Sequence, residues 1–244
     1  MSTPTRTAHP PLDQTPLPTA PVTNRPVDPD RPLRTSSVVA GIALAVLTVL
    51  AVFGNFLVLN RLITPGDPGR TMTDIAGSEA LFRWGIASLL AAAVLDVVVA
   101  AALMRVFTSV NPDISRLAAW CRLAYAGVFL VAVSQLAGVL PNVGNPEQAQ
   151  RSIDAFNDIW NAGLILFGVH LLLIGYLAYR SRFIAKAIGV LLAIAGLGYL
   201  VDGFGTVLVP NYSLNVSQVT FIGEAVLIFW LLIKGRRLTL TPAA

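Results

Sequence analysis

Three titratable side chains lie in the middle of long apolar stretches: Asp96, His170 and Glu224. Each stands nine or ten residues before the basic residue that closes its stretch, namely Arg105, Arg180 and Lys234 respectively. At 1.5 Å per helical residue, all three lie about 14 to 15 Å from one end of their segments. A charged side chain at the centre of a bilayer costs at least about 2.5 to 3.5 kcal/mol. The spacing therefore predicts one layer of polar groups, which could be a functional site.

Arg122 is a countercharge for Asp96. Both residues lie on stripes of small side chains with a spacing of four, which are Ser88, Ala92, Asp96 and Ala100 in one segment and Ala118, Arg122 and Ala126 in another. Small residues let helices approach closely in a membrane, so both stripes are expected to face the interior of a bundle. We predict a buried ion pair between Asp96 and Arg122 that determines the fold rather than carries a substrate.

His170 and Glu224 leave two interpretations open, a proton relay or a hydrogen-bonded core. Zinc sites use three or four protein ligands with a recognisable spacing, whereas the layer supplies three groups without local spacing. Haem held by two histidines is excluded because only one histidine lies in an apolar stretch. No nucleophile elbow and no phosphate-binding glycine loop occur. The sequence indicates no metal, no cofactor and no catalytic residue.

A second polar layer is expected at the opposite ends of the apolar stretches. Its members are Asn55, Glu79, Arg83, Gln135 and Asp202. Glu79 and Arg83 are four residues apart, so they are expected to pair on one helix face. The layer could be the mouth of a ligand site, but solvated loop ends are the preferred interpretation.

The composition indicates that lipid is the main solvent of this chain. Of 244 residues, 55% are hydrophobic and 12% are charged, against about 25% charged in ordinary soluble domains. The mean hydropathy is +0.70. The net charge of +4 does not indicate nucleic-acid binding, because the basic residues stand at the ends of the apolar stretches. The only cysteine, Cys121, has no disulfide partner in the chain.

Apolar stretches of bilayer-spanning length predict an all-α, polytopic transmembrane bundle of six spans. The predicted spans are Val38–Leu59, Trp84–Phe107, Leu117–Leu140, Trp160–Tyr179, Ile184 to about Val201, and about Val216 to Ile233. Within the loop before the fourth span, Ile153, Phe156 and Ile159 repeat at intervals of three. This spacing predicts a short helix lying in the outer interface.

The distribution of basic residues predicts the orientation. With both termini in the cytoplasm, 13 Lys and Arg side chains lie inside and four, Arg61, Arg70, Arg83 and Arg151, lie outside. This bias satisfies the positive-inside rule and predicts a multi-pass protein of a bacterial cytoplasmic membrane.

Residues 1–34 contain nine of the sixteen prolines and few large apolar side chains. Such a segment predicts a disordered cytoplasmic tail, which either tethers the protein or docks a protein partner. Residues 35–236 form the predicted membrane domain, and residues 237–244 a short cytoplasmic tail.

Several long motifs resemble the bacterial membrane family called domain of unknown function 4386. They are Ser78–Ile86, Asp96, Cys121–Tyr125, Ala155–Gly163, Phe167–Ser181, Ala195–Asp202 and Ile222–Glu224. The resemblance covers about residues 35–236, with Cys121 where an aromatic residue is expected. It implies an uncharacterised integral membrane protein of about six spans and brings no activity, substrate or catalytic residue.

Three functions therefore compete. The preferred hypothesis is a structural or regulatory membrane subunit whose buried charges fix the helix register. The first alternative is a small-molecule or proton-coupled transporter that uses Asp96, His170 and Glu224. The second is an intramembrane enzyme in which His170 is the base and Glu224 orients it.

Overall fold

The chain forms a bundle of helices. A computed structural model describes residues 30–210, 212, 214, 216–217 and 222–238, and no strand occurs among them. The helices are α1 (Arg31–Leu62), α2 (Pro68–Gly77), α3 (Glu79–Phe107), α4 (Pro112–Ala137), α5 (Pro146–Arg180), α6 (Lys186–Leu208) and α7 (Ile222–Lys234). Helix α1 becomes π-helical over Val52–Leu59, and a 3-10 turn, Leu140–Asn142, follows α4.

Five of these helices, α1, α3, α4, α5 and α6, are long and apolar enough to cross a membrane. Each contains one of the first five predicted spans or overlaps it closely, so the all-helical class is confirmed and these five helices are candidate membrane spans. Helix α6 runs to Leu208, seven residues past the predicted end at Val201. The sixth predicted span lies partly outside the described residues; its described part is Val216, Ser217 and α7.

Three helices start with the same local chemistry, an Asx residue followed by proline. The side-chain oxygens of Asp67, Asn111 and Asn145 accept hydrogen bonds from backbone N–H groups in the first turns of α2, α4 and α5. The proline that follows has no N–H to leave unpaired and already has a helical φ angle. These pairs therefore fix where each helix begins.

The six longer helices pack in the order of the sequence and close into a ring. Helix α1 packs on α3, α3 on α4, α4 on α5, α5 on α6, α6 on α7, and α7 returns to α1. At the closure, Gly41 of α1 lies against the backbone of Leu232, and Arg34 Nε donates a hydrogen bond to the carbonyl oxygen of Leu238 at 2.8 Å. The two ends of the described chain therefore meet at one end of the bundle.

Helices α5 and α6 pack with their backbones in contact. A Cβ atom on Gly175 would lie 2.8 Å from the Gly189 carbonyl oxygen, and one on Gly168 would lie 2.9 Å from that of Gly196. The two glycines on each helix are seven residues apart, about two turns, so they share one face. The absence of side chains at these positions allows the close approach.

Two details differ from the sequence-based predictions. Ile153 and Phe156 are buried residues of the 35-residue helix α5, so the prediction of a separate interfacial helix was wrong. Helix α5 is about 50 Å long at 1.5 Å per residue, longer than a bilayer core, and its outer part packs against α2 instead of lying on the membrane. Helix α1 begins at Arg31, before the predicted end of the tail at residue 34; residues 1–29 and 239–244 lie outside the described residues.

Candidate functional site

A charged pair joins α3 to α4 inside the bundle. Arg122 Nη2 lies 2.6 Å from Asp96 Oδ1, and the two residues are only 2% and 3% exposed. The predicted pair of Asp96 and Arg122 is thus present. Asp96 Oδ1 lacks a well-aligned hydrogen bond, so the contact is ionic in character. Two charges this deeply buried stabilise the fold only as a pair, because either one alone would be uncompensated.

His170 of α5 extends the pair to a third helix. Its Nε2 lies 3.1 Å from Arg122 Nη1, and its Nδ1 lies 2.8 Å from the carbonyl oxygen of Ala118. Because a carbonyl oxygen can only accept and a guanidinium can only donate, Nδ1 must carry the ring proton and Nε2 must accept. His170 is therefore neutral here and fixed as a single tautomer.

The enzyme hypothesis requires Glu224 of α7 to bind His170, but Glu224 binds Tyr199 instead. Its Oε1 accepts a hydrogen bond of 3.2 Å from the hydroxyl group of Tyr199 on α6. The neighbouring Gly223 sets this position, since a Cβ atom there would lie 2.6 Å from the backbone of Leu191. Both ring nitrogens of His170 bind other partners, so no hydrogen bond joins His170 to Glu224 among the described residues.

A small cavity lies at the centre of the helix ring, with room for about one water molecule. The residues that line it are Leu44, Leu103, Arg122, His170, Leu171, Ile174, Glu224 and Leu227, and its walls are almost entirely apolar. Five of the six ring helices, all except α6, line this cavity. We call Asp96, Arg122, His170, Tyr199 and Glu224, together with this cavity, the polar centre.

Aromatic rings cover the polar centre between α4 and α5. The guanidinium carbon of Arg122 lies 5.3 Å from the centroid of the Phe167 ring, a cation–π distance. Phe167 also contacts the rings of Tyr125, His170 and Tyr199. The Tyr125 hydroxyl group in turn accepts a hydrogen bond of 3.2 Å from Trp160 Nε1. Phe167 thus packs against the Arg122 guanidinium group and links it to a cluster of aromatic rings.

The predicted outer layer is not brought together as one site. Arg83 Nε donates to Glu79 Oε1 at 2.8 Å, and both side chains are exposed. Gln135 contacts Ser134, the residue before it, and Asn55 lies in the π-helical part of α1. Among the described residues, Glu79 and Arg83 are the only two of the five that contact each other through side-chain hydrogen bonds or ion pairs. This arrangement matches solvated helix ends better than a ligand mouth.

Asp202, the fifth member of the outer layer, binds the chain that leads into α7. Its carboxylate accepts hydrogen bonds from the backbone N–H groups of Val216, at 3.0 Å, and Ser217, at 2.7 Å. It also accepts one of 2.7 Å from the Tyr212 hydroxyl group, and this bond raises the pKa of Tyr212. Val216 and Ser217 are helical, so Asp202 acts on the start of the predicted sixth span as an N-cap does.

The roles of Tyr199 and Phe167 were not predicted from the sequence, because buried aromatic residues are ordinary in membrane helices. The pairing of glycines seven residues apart on α5 and α6 was a usable signal, since it sets how closely these helices pack. In the described residues, no group of three or more His, Cys, Asp and Glu side chains is arranged to hold a metal ion.

Comparisons with known proteins agree with this architecture without adding a chemistry. The family model described as "Domain of unknown function (DUF4386)" matches residues 39–235. An uncharacterised protein of Archaeoglobus fulgidus is 35% identical over 146 residues, which cover 60% of this chain and 80% of the relative. No solved structure matches.

Proposed function

The chain belongs to the family of unknown function whose model covers residues 39–235, and we propose that it is a structural or regulatory subunit of a membrane. The observation that carries this proposal is that Asp96, Arg122 and His170, on three different helices, bind one another. Arg122 binds Asp96 and His170, and His170 binds the backbone of α4. These contacts tie α3, α4 and α5 together, which is what groups that fix helix positions are expected to do.

The meeting of the chain ends supports six crossings with both termini in the cytoplasm. Arg34 at the start of α1 binds the carbonyl oxygen of Leu238, which follows α7. Chain ends on one side of a membrane require an even number of crossings. The five long apolar helices together with α7 supply that number. The basic residues near these ends support a location of both ends on the cytoplasmic side of a bacterial cytoplasmic membrane.

A second candidate function is proton-coupled or small-molecule transport. It is favoured by one observation, that Arg122, His170 and Glu224 line the same cavity at the centre of the bundle. The cavity is far smaller than the clefts that hold most small molecules. An enzymatic role of His170 is less favoured, because both of its ring nitrogens are already bound.

Substitution of the Asp96–Arg122 pair tests the structural role. Asp96→Asn or Arg122→Gln alone leaves one buried charge without its partner, so each is expected to lower the free energy of unfolding by about 3 to 5 kcal/mol. The double variant Asp96→Leu with Arg122→Met replaces both charges with apolar groups and is expected to recover most of that loss. Thermal unfolding in detergent and abundance in the membrane measure both effects.

Two other outcomes would count against the structural role or in favour of transport. If both single variants were as stable and as abundant as the unaltered protein, the pair would have no structural role. Transport would be supported instead if the interior of proteoliposomes acidified when a pH gradient was applied. This acidification would also have to be lost in a Glu224→Gln variant that is as stable as the unaltered protein.

The regulatory part of the proposal concerns the Pro-rich tail. Deletion of residues 2–29 leaves all described helices intact and is expected to preserve insertion and thermal stability. In-cell crosslinking followed by mass spectrometry is expected to capture a partner with the complete chain and to lose it with the truncated one. The same crosslinks with both chains would show that the tail is not a docking segment.

A further inference from the structure

The connection between α5 and α6 carries a cluster of exposed cations. Arg180, Arg182 and Lys186 lie within a stretch of seven residues, and all three side chains are exposed. No acidic residue occurs in the sequence between Asp158 and Asp202. In the part of the chain that the structure describes, none of the three cations makes an ion pair. Their positive charge is therefore open to an anion from outside the chain.

Buried side chains hold this connection in place. Ser181 Oγ donates a hydrogen bond of 2.8 Å to the carbonyl oxygen of Ala178 and accepts one of 3.1 Å from the backbone N–H group of Ile184. Ile184 is buried, and the ring of Phe183 stacks on that of Phe107 at the end of α3. The connection is therefore packed onto the bundle, so an anion that binds its cations does not have to order a loose loop.

Lys186 lies over an aromatic ring at the end of α5. Its Nζ is 5.5 Å from the centroid of the Tyr179 ring, a cation–π distance. Gly189 brings the two helices together here, because a Cβ atom on it would lie 2.6 Å from the Tyr179 backbone nitrogen. Tyr176 and Tyr179 are each 47% exposed and lie three residues apart on one helix face. Exposed tyrosines at the end of an apolar helix are typical of the level of the lipid headgroups.

Lys186 also stands at the end of an exposed apolar stripe on α6. The stripe consists of Val190, Ile194, Leu197 and Val201, which are each 45% to 54% exposed. Their spacing of three and four residues places them on the same helix face as Lys186. From Lys186 to Val201 the stripe is about 22 Å long, whereas one leaflet of a bilayer core is about 15 Å thick. A cation at the end of such a stripe matches a phospholipid, which has an anionic headgroup and a long acyl chain.

We propose that the connection between α5 and α6 binds an anionic phospholipid. Lys186 and Arg182 bind its headgroup, and an acyl chain lies along the apolar stripe of α6. The proposal goes beyond the structural role of the polar centre and requires only that α5 and α6 cross the membrane. In the six-span topology this connection faces the cytoplasm, where the adjoining leaflet is negatively charged.

Native mass spectrometry of the full-length protein released from nanodiscs tests the proposal. The nanodiscs contain equal amounts of phosphatidylglycerol and phosphatidylcholine with the same acyl chains, and the ratio of the two lipids that stay bound is measured. A basic side chain near an anionic surface raises the preference about fivefold. Phosphatidylglycerol is therefore expected to be enriched at least about fivefold. Equal retention of the two lipids would overturn the proposal.

Two double variants locate the preference. Arg182→Gln with Lys186→Gln removes two exposed cations and is expected to lower the enrichment about fivefold or more. The matched control, Arg61→Gln with Arg151→Gln, removes the same charge from exposed residues at the opposite end of the bundle and is expected to keep it. An undiminished enrichment in the first variant, or an equal fall in both, would contradict a site at this connection.

A further measurement distinguishes a lipid from other anions. Dioctanoyl phosphatidylglycerol is expected to raise the thermal unfolding temperature of the unaltered protein in detergent, whereas glycerol 3-phosphate at the same concentration is expected to leave it unchanged because it has no acyl chain. Equal stabilisation by both would indicate a site for a soluble phosphate and overturn the proposal. In-cell crosslinks from Lys186 to another protein, together with equal retention of the two lipids, would indicate an acidic protein partner instead.

Discussion

Gly175 of α5 and Gly189 of α6 form a backbone contact that no larger residue could make. A Cβ atom on Gly175 would lie 2.8 Å from the Gly189 carbonyl oxygen and 2.8 Å from the Ala193 backbone nitrogen. Both obstacles are backbone atoms, which move only if a helix moves. This contact holds α6 close to α5, and thereby Tyr199 close to the helix that carries His170.

Gly175→Ala is therefore expected to destabilise the protein by about 1 to 3 kcal/mol, the usual cost of overpacking. Gly127→Ala is the matched control, because Gly127 is also a helical glycine but has no atom within 4 Å of its Cβ position. This control is expected to stay within about 1 kcal/mol of the unaltered protein. Thermal unfolding in detergent measures both. Equal stability of the two variants would contradict the close contact.

The ring proton of His170 is expected on Nδ1, which can be measured directly. Nitrogen-15 NMR of protein labelled at histidine is expected to detect the proton on Nδ1, which donates to Ala118, and an unprotonated Nε2, which accepts from Arg122. The chain has two histidines, and His9→Gln removes the other signal. His170→Phe is expected to cost about 1 to 3 kcal/mol, because Arg122 Nη1 loses its acceptor. A proton on Nε2 would contradict this geometry.

Asp202 is expected to stabilise the start of the predicted sixth span. Asp202→Ala removes the acceptor of two backbone N–H groups and is expected to cost about 0.5 to 2 kcal/mol, the range found for helix N-caps. Asp202→Asn keeps one oxygen and is expected to lose less. Asp158, an exposed acidic residue of α5, gives the control Asp158→Ala. The same loss of thermal stability in both alanine variants would argue against a specific role of Asp202.

Tyr212 makes the contact with Asp202 dependent on pH. Its hydrogen bond to the Asp202 carboxylate raises the pKa of the phenol above its ordinary value of 10.0. The bond therefore contributes fully at pH values below 10.0 at which the Asp202 carboxylate is ionised, and is lost as the pH rises through the raised pKa of Tyr212. Absorbance titration, as the difference from Tyr212→Phe, is expected to show a lower pKa in Asp202→Asn. An unchanged pKa would contradict the bond.

Reporter fusions test the number of crossings. A cytoplasm-dependent reporter is expected to be active when fused after Ala244 and inactive when fused after Gly144, in the short connection between α4 and α5. Fusion after Pro210, which follows five long apolar helices, is also expected to be inactive. An active reporter at Pro210 together with an inactive one at Ala244 would show the opposite orientation and would contradict the prediction that the C-terminus is cytoplasmic.

The sequence predicted the helical class and the partners Asp96 and Arg122 because both follow from the cost of burying charge in lipid. Two ionisable residues on stripes of small side chains have few other ways to reduce that cost. The helix starts at Asp67–Pro68 and Asn111–Pro112 were not predicted, although they depend on local backbone chemistry alone.

Contacts between distant helices could not be predicted in the same way. The pairing of Glu224 with Tyr199 depends on the approach of α7 to α6 at Gly223, which the periodicity of neither segment reveals. The helical length of α5 was underestimated because Asp154 and Asp158 lower the hydropathy of its outer part without interrupting the helix. Hydropathy reports the surrounding solvent, whereas helix length depends on backbone hydrogen bonds.

Closure of the ring by the contact of α7 with α1 affects how the protein is made. Gly41 of α1 emerges from the ribosome about 190 residues before Leu231 and Leu232, against which it packs. At about 5 to 20 residues per second, the face of α1 around Gly41 waits on the order of ten seconds for its partner. Until α7 is made, this face of α1 stays uncovered, so the release of α7 from the ribosome is the step that completes the ring of helices.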